Sequence, residues 1–329
     1  MADGRSSGPL ALGFDIGGTN IRAIPVARTG PVGEWAHVRR PERPELMLEA
    51  IVGLWRQAAE QHPIAAIGVG CAGVVDRAGV VRTSPNIAML THYPMRELVA
   101  GATGLPVAVD NDATAAAWAE ASVPGRWADD LALVTFGTGI GGGFVLDGRL
   151  YRGASGFAGE IGHMTVVAGG ILCVCGRRGC WERYASGSAL GHQARDAVAA
   201  GRAPTVLAAA GGEVRAVQGE HVLGLAAAGD PVAEDLVAEH ARWIALGLDS
   251  LANLLDPAVF VLGGGVSEAG ETFRAAVEGA YRQAVVDREA RGPAEIRLSH
   301  YGDRAGAVGA GLVALDLLVE GPTQEPEPH

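Results

Sequence analysis

The chain has 329 residues, 48% of them apolar and 19% charged, so it has ample material for a buried core and is not an intrinsically disordered protein. Its 37 acidic and 26 basic residues give a net charge of −11, which argues against a nucleic-acid or anionic-membrane partner. Every basic residue is arginine, and the absence of lysine excludes a Walker-A phosphate loop, the protein-kinase fold, and Schiff-base or pyridoxal-phosphate chemistry.

The predicted elements alternate between strands and helices, which indicates an α/β fold. In the first half, apolar and β-branched runs predict strands at 10–15, 21–27, 34–40, 64–70 and 107–109, and helical spacing predicts helices at 44–61 and 113–120. In the second half, the same criteria predict strands at 131–136, 140–146 and 259–262, and helices at 185–199, 231–255, 268–290 and 305–319. The proline-containing tail, 321–329, is expected to be disordered.

Each half opens with a strand, a turn of glycine and threonine, and a second strand. The turns are Gly17-Gly18-Thr19-Asn20 and Gly137-Thr138-Gly139. A Rossmann fingerprint would instead open a helix after its glycines. We interpret the pattern as an internal repeat whose two turns face each other across a cleft and hold the phosphates of a nucleotide through backbone N–H groups. Taken singly, each turn is also compatible with an ordinary tight hairpin.

Two further features fit a nucleotide site. Asp15 ends the first strand, where a carboxylate can hold Mg²⁺ through water or simply cap the turn. Gly263-Gly264-Gly265 follows the strand at 259–262 and leaves room for a flat ligand, with Ser267 as a cap for the next helix. A simple strand-to-helix turn is the alternative interpretation of the three glycines.

Three of the four cysteines fall within eight residues, a spacing that indicates a metal site. Cys173, Cys175 and Cys180, together with one histidine, would form a closed tetrahedral Cys₃His zinc site, which is structural rather than hydrolytic. His163 and His192 both flank the cysteines, and spacing favours His163 without deciding between them. Free buried cysteines are the alternative.

The segment Asp110-Asn111-Asp112 joins a predicted strand to a predicted helix. Ligands of α/β sheets bind at the carboxyl ends of strands, and a carboxylate there can accept a proton from a substrate hydroxyl. Helix capping by Asn111 or Asp112 is the simpler alternative. Three further residues, taken alone, are more typical of turn or surface positions: Gly73, Asn86 and Glu182.

Together these motifs resemble a known family. Residues 15–19 and 137–143 are similar to the two phosphate loops of the actin, sugar-kinase and heat-shock ATPase superfamily. Glu160-x-Gly162-His163, with the cysteine motif that ends in Cys180-x-Glu182, resembles the signature of the ROK family (repressors, open reading frames and kinases). The resemblance covers residues 10–320 and implies a duplicated ribonuclease-H-like, actin/hexokinase-type fold with a cleft between two domains. It implies a small domain of 1–114 plus 306–320, and a large domain of 115–305 with a zinc loop at 163–182.

The resemblance also implies a role for each matching residue. Asp112 would be the base that takes the proton from the 6-hydroxyl of the sugar. The sugar-binding residues would be Gly73, Asn86, Asn111, Asp112, Glu160, His163 and Glu182. The Mg-ATP site would comprise Asp15, Gly17, Gly18, Thr19, Asn20, Thr138, Gly139, Gly263, Gly264 and Gly265. The zinc ligands would be His163, Cys173, Cys175 and Cys180. Asn20 departs from the lysine of many members.

Within the family the motifs are most similar to those of actinobacterial ATP-dependent glucokinases, which implies phosphorylation of glucose at its 6-hydroxyl. Kinases for N-acetylglucosamine, N-acetylmannosamine or a pseudo-sugar share every motif, and a polyphosphate-dependent kinase or a non-catalytic sugar-responsive regulator are further alternatives. We expect no nucleic-acid partner, because 14 residues precede Asp15 and the chain is acidic. We expect a cytoplasmic homodimer or homotetramer with no membrane contact, since no apolar run approaches the roughly 18–20 residues of a membrane span.

Overall fold

The computed structural model describes residues 8–85, 87–286 and 292–320. In the first half the strands are β1 (Leu10–Ile16), β2 (Asn20–Ala27), β3 (Gly30–Pro31), β4 (Ala36–Arg39), β5 (Ile64–Cys71), β6 (Val74–Val75), β7 (Val81–Thr83) and β8 (Val107–Asn111). In the second half they are β9 (Leu131–Phe136), β10 (Ile140–Leu146), β11 (Arg149–Tyr151), β12 (Val259–Gly263) and β13 (Glu295–Leu298).

The helices are α1 (Pro44–Ala59), α2 (Met95–Thr103), α3 (Asp112–Ala121), α4 (Glu182–Ala185), α5 (Gly187–Ala199), α6 (Pro204–Ala209), α7 (Gly219–Ala227), α8 (Pro231–Leu255), α9 (Glu271–Ala284) and α10 (Ala305–Glu320). None of the helices in the described ranges combines the length and the apolarity that a membrane span requires.

The two main sheets repeat one plan. The first has the strand order β3-β2-β1-β5-β8, with β4 also paired to β2, and the second has the order β11-β10-β9-β12-β13. In each sheet the opening hairpin is antiparallel, and the first strand of the hairpin then pairs in parallel with the next strand of the order. The predicted internal repeat and the actin/hexokinase-type α/β fold are confirmed.

Glycines bring the helices α3 and α10 into close contact with each other and with the sheets. A Cβ on Gly309 of α10 would lie 1.7 Å from the Ala115 carbonyl oxygen of α3, and a Cβ on Gly143 of β10 would lie 2.5 Å from the Ala113 carbonyl oxygen. Helix α10 also packs on β1 and β5 of the first sheet. These contacts hold the amino-terminal end of α3, which follows β8 directly, at a fixed place beside both sheets.

The predicted helix at 268–290 is wrong at its start. Residues 265–269 form a short 3-10 turn, and α9 begins at Glu271 after Gly270, which has a φ of +70° that helix continuation forbids. Ser267 does not cap the helix, because its hydroxyl donates to the Gly264 carbonyl at 2.7 Å. The predicted helix is also wrong at 285–286, because α9 ends at Ala284 and Val285 is extended. Positions 287–290 of that prediction and the tail at 321–329 lie outside the described residues.

Candidate active site

The boundary between β8 and α3 places Asn111 and Asp112. The Asn111 side chain accepts a hydrogen bond from the Thr114 N–H at 3.0 Å, so it caps α3, and its amide donates to the Gly73 carbonyl at 3.0 Å. Asp112 is the first residue of the helix, and its carboxylate accepts from the Ala113 N–H at 2.9 Å. Burial raises the pKa of Asp112, and the hydrogen bond from Ala113 partly opposes that shift. The capping interpretation is therefore correct for Asn111. Asp112 remains the candidate for proton transfer.

The charges of other carboxylates contribute to the pKa values of two further candidates, Asp15 and Glu160. Burial, and then the charge of Asp112, raise the pKa of Asp15 to about 7. Burial also raises the pKa of Glu160; the nearby His163 opposes that shift, and the charges of Asp112 and Glu182 add to it. A Cβ on Gly306 of α10 would lie 3.6 Å from the Asp15 Oδ1 and 3.7 Å from the Asp112 carbonyl oxygen. Asp15 and Asp112 therefore flank the same position of α10.

The first glycine turn is a hairpin held from its outer side. The Gly17 N–H donates to the Asn20 carbonyl at 3.0 Å, which closes the turn between β1 and β2. The Arg40 N–H donates to the Thr19 carbonyl at 2.8 Å, and the Arg40 Nε donates to the Gly18 carbonyl at 2.8 Å. A Cβ on Gly18 would meet no atom within 4 Å, so one face of the turn is open to a ligand.

The second glycine turn lies against the sugar-binding candidates. The Gly137 N–H donates to the Gly139 carbonyl at 3.0 Å, and the Gly137 carbonyl accepts from the Gly187 N–H at 2.9 Å. A Cβ on Gly139 would approach the Glu182 Oε2 to 2.7 Å. The turn thus lies between the start of α5 and the Glu182 carboxylate.

A cavity of about 530 Å³ opens beside the second turn, between the amino-terminal ends of α5 and α7. Thr138 and Gly265, both candidates from the sequence, line it. Sequence reasoning missed most of the other lining residues, which include Ser188, His192, Arg195, Arg215, Gln218 and Leu223. No motif marks them, because they lie on α5, on α7 and in the chain that precedes α7, which only the fold brings to the turn.

The three glycines after β12 have different surroundings. Gly263 ends the strand, Gly264 has a φ of +80°, and a Cβ on Gly264 would lie 2.5 Å from the Phe136 carbonyl oxygen. A Cβ on Gly265 would meet no atom within 4 Å, and this residue lines the cavity. Gly265 is therefore the member of the triplet whose open space faces a ligand, while Gly264 permits close packing.

The cysteine motif folds into a compact donor cluster. One ligand atom from each of His163, Cys173, Cys175 and Cys180 lies within 4.8 Å of all the others. The Cys173 Sγ is 3.7 Å from the His163 Nδ1, and the Cys175 Sγ is 3.6 Å from the Cys180 Sγ. Three thiols and an imidazole at these separations fit a tetrahedral zinc ion. His192 instead lines the cavity described above.

The same cluster is joined to the sugar-binding candidates. The Cys173 thiol donates to the Glu182 Oε1 at 2.8 Å, and that oxygen lies 3.6 Å from the His163 Nδ1. The other ring nitrogen, His163 Nε2, is 3.9 Å from the Glu160 Oε2. His163 thus has one nitrogen towards the thiols and the other towards Glu160.

Two predicted sugar-binding positions have different outcomes. Gly73 has a φ of +136°, and a Cβ there would lie 2.4 Å from the Thr83 carbonyl oxygen, so the β6–β7 hairpin itself requires glycine. Its carbonyl lies next to the site, since it accepts from Asn111. Asn86 lies outside the described residues.

The sequence profile of the ROK family matches residues 11–316. The chain belongs to the ROK family. A glucokinase of Streptomyces coelicolor is 40% identical over 93% of this chain and 97% of its own length. An N-acetylmannosamine kinase of Citrobacter koseri is 32% identical over 92% of this chain and 98% of its own length.

A solved structure of a ROK family glucokinase from Streptomyces griseus, in complex with glucose and AMPPNP, superposes with a TM-score of 0.82. It is 41% identical and covers 93% of this chain and 99% of its own. This ROK protein therefore has the two-sheet fold of the family's sugar kinases along almost its whole length.

The short helix α4 fixes Glu182 in this ROK protein, and sequence reasoning missed how. The Trp181 Nε1 donates to the Trp243 carbonyl of α8 at 2.7 Å. The Tyr184 hydroxyl accepts from the Ile171 N–H at 2.8 Å, which links α4 to the cysteine segment. The backbone on both sides of Glu182 is therefore tied to the long helix and to the candidate metal cluster.

Proposed function

We propose that the protein phosphorylates glucose at its 6-hydroxyl with Mg-ATP, and that Asp112 is the general base. One observation carries the proposal: Asp112, the first residue of α3, and Asp15, which leads into the first glycine turn, flank the same position of α10. A group between a phosphate loop and a cluster of hydroxyl-binding side chains is where a phosphoryl acceptor must sit.

Asp112 takes the proton from the attacking hydroxyl as the oxygen approaches the γ-phosphate. Burial raises its pKa, so the carboxylate is a better proton acceptor than an exposed aspartate. Its backbone is fixed by the Asn111 cap, which holds the carboxylate at the helix start. The proposed sugar-binding partners are Gly73, Asn86, Asn111, Glu160, His163 and Glu182.

The nucleotide is proposed to lie with its phosphates between the two glycine turns. The phosphates are held by polar side chains and by backbone N–H groups other than that of Gly17, which closes the first turn. The residues that line the phosphates would be Gly17, Gly18, Thr19, Asn20, Thr138 and Gly139. The cavity beside Gly265 takes the adenosine, with Gly263 and Gly264 beneath it. Asp15 holds Mg²⁺ through water, and the bound ion neutralises charge that develops on the phosphates. Catalysis of phosphoryl transfer depends mainly on positioning the reactants and neutralising this charge. The groups proposed here would do both without a lysine.

Zinc is proposed to have a structural role. His163, Cys173, Cys175 and Cys180 would hold it as a closed site, and bound zinc would stiffen the loop at 163–182. Because Glu182 contacts both Cys173 and the second glycine turn, a stiff loop fixes the orientation of the sugar.

The names of the Streptomyces relatives support glucose as the substrate. An N-acetylmannosamine kinase is the second candidate, favoured by the 32% identical relative that spans almost the same length. We also propose two domains, 1–114 plus 306–320 and 115–305, and a homodimer or homotetramer. The duplicated sheets and the packing of α10 on the first sheet support the division into domains.

The test is ADP release with Mg-ATP over a sugar panel of glucose, mannose, N-acetylglucosamine and N-acetylmannosamine, with a control that lacks sugar. Turnover on glucose supports the proposal, and preference for an N-acetyl sugar transfers the same mechanism to the second candidate. Absence of sugar-dependent ADP release in a folded, zinc-loaded protein would overturn both. An Asp112→Ala variant that retains near wild-type turnover would refute the assignment of the base.

A further inference from the structure

A partly buried ion pair joins the two halves of the chain next to the proposed base. Arg152, which follows β11, donates from Nε and from Nη2 to the two carboxylate oxygens of Asp110, each at 2.8 Å. The Asp110 side chain is 10% exposed and the Arg152 side chain 30%. A bidentate pair of this kind fixes direction as well as distance. Asp110 immediately precedes Asn111 and Asp112, so the pair begins at the strand end that carries the base.

Arg152 opens a stretch of chain, residues 152–160, which we call the bridging segment. Its second anchor is Arg77 of the β6–β7 connection, whose Nε donates to the carbonyls of Gly153 and Ala154 at 3.1 and 3.0 Å. Its third anchor is Gly156, where a Cβ would lie 2.6 Å from the Val75 carbonyl oxygen. The first half of the chain therefore holds the bridging segment at three places.

The bridging segment ends at Glu160, one of the proposed sugar-binding residues. Just before it, Gly159 has a φ of +102°, and a Cβ there would lie 2.3 Å from the Gly142 carbonyl oxygen of β10. The Gly159 carbonyl then accepts from the Ile161 N–H at 2.7 Å. The bridging segment is therefore packed at both ends, against Asp110 at its start and against β10 at its end.

We infer that Asp110 and Arg152 are positioning residues for the sugar: their ion pair sets the place of Glu160 relative to Asp112. The inference deepens the proposed function and rests on it. Neither residue touches the reacting atoms in this scheme. The pair joins the strand that leads into the base to the segment that carries a proposed sugar-binding carboxylate, and neither end lies in one of the two glycine turns.

The kinetic test compares Asp110→Asn, Arg152→Gln and the double variant with the wild-type protein. Each single variant should raise the KM for the sugar about tenfold or more, since small displacements in a site have effects of this size. The KM for Mg-ATP should stay within about twofold, because the pair lies outside the glycine turns. The double variant should be no worse than the more severe single variant, because either change alone already removes the pair. Arg152→Lys, which keeps the charge and loses the bidentate geometry, should be intermediate.

Arg297→Gln is the matched control. Arg297 also forms a bidentate pair, with Glu295 at 2.7 and 2.6 Å, but that glutamate is 57% exposed and lies on β13. Arg297→Gln should change neither the KM for the sugar nor the KM for Mg-ATP. Equal rises in both KM values for the Asp110 and Arg152 variants, or a lower unfolding temperature with an unchanged sugar KM, would show a purely structural pair and overturn the inference.

Hydrogen exchange separates this inference from the proposed function. Amides of residues 152–163 should exchange faster in Asp110→Asn and in Arg152→Gln than in the wild type, with the rest of the second half unchanged. Unaltered exchange in this peptide overturns the inference even if glucose is the substrate. A wild type that is inactive on every sugar refutes the proposed function, while the exchange data still decide whether the ion pair holds Glu160.

Discussion

The Glu182 carboxylate lies so close to the second glycine turn that Gly139 has no room for a side chain: a Cβ there would come within 2.7 Å of Oε2. The obstacle is the end of a side chain, which can move without disturbing the backbone. Gly139→Ala should therefore leave the unfolding temperature nearly unchanged and raise the KM for the sugar about tenfold. Steady-state kinetics and thermal unfolding measure the two effects.

Gly137→Ala gives the comparison within the same turn, because its Cβ would meet no atom within 4 Å. Its effect on the sugar KM should be clearly smaller. If the two alanine variants behave alike, the contact with Glu182 is not what matters at Gly139.

Replacing the proposed base should separate activity from stability. Asp112→Asn keeps the acceptor for the Ala113 N–H and should lower kcat about a thousandfold. The folded protein binds a proton at Asp112 more tightly than the unfolded chain does, because burial raises the pKa above its ordinary 3.8. The stability that Asp112 contributes therefore falls as the pH rises from 3.8 through the pKa that Asp112 has in the folded protein.

At pH 8 the charged carboxylate of Asp112 therefore lowers the stability of the folded protein. Urea unfolding should show Asp112→Asn to be as stable as the wild type or more stable at pH 8, with a smaller difference at pH 5. A variant that is markedly less stable at pH 8 would contradict the sign of the shift.

Gly247 of α8 packs against Trp181, the residue that precedes Glu182. A Cβ on Gly247 would lie 2.0 Å from the ring of Trp181, which is fully buried and cannot move aside as a surface chain does. Gly247→Ala should reduce the free energy of unfolding by about 1–3 kcal/mol through overpacking. It should also raise the sugar KM, since Trp181 adjoins Glu182.

The control is Gly224→Ala on α7, whose Cβ would meet no atom within 4 Å. Alanine is the better helix former there and should stabilise the protein by about 0.5–1 kcal/mol. Equal unfolding free energies for the two variants would argue against the packing role of Gly247.

Removal of zinc should weaken the binding of the sugar more than the binding of the nucleotide. We expect elemental analysis to find one zinc per chain in native protein and none in Cys175→Ser, since a closed Cys₃His site needs all its ligands. Chelation should raise the sugar KM more than the ATP KM and lower the unfolding temperature, and zinc should restore both. Native protein without zinc would refute the site.

The sequence predicted well what local spacing encodes. The two hairpins follow from glycine turns between β-branched strands, and the three cysteines lie close enough along the chain to signal a metal site. Spacing alone does not decide between His163 and His192, because both flank the cysteines. In the fold, Thr165 pairs with Cys180 and His163 lies beside the thiols.

Other features depend on distances in sequence that no spacing rule covers. Arg152 and Asp110 are 42 residues apart, and Arg195 reaches the cavity beside the second glycine turn because α5 packs there. The start of α9 was misplaced because Ser267 resembles a cap, while its hydroxyl in fact bonds backwards to the Gly264 carbonyl.

The contact between α3 and α10 has a mechanical consequence. At its closest point Gly309 meets the Ala115 backbone, so peptide groups and methyl groups form the surface instead of long interlocking side chains. A larger residue at position 309 would meet the backbone of α3, which cannot move aside as the end of a side chain does, and would act as a wedge that holds the two helices apart.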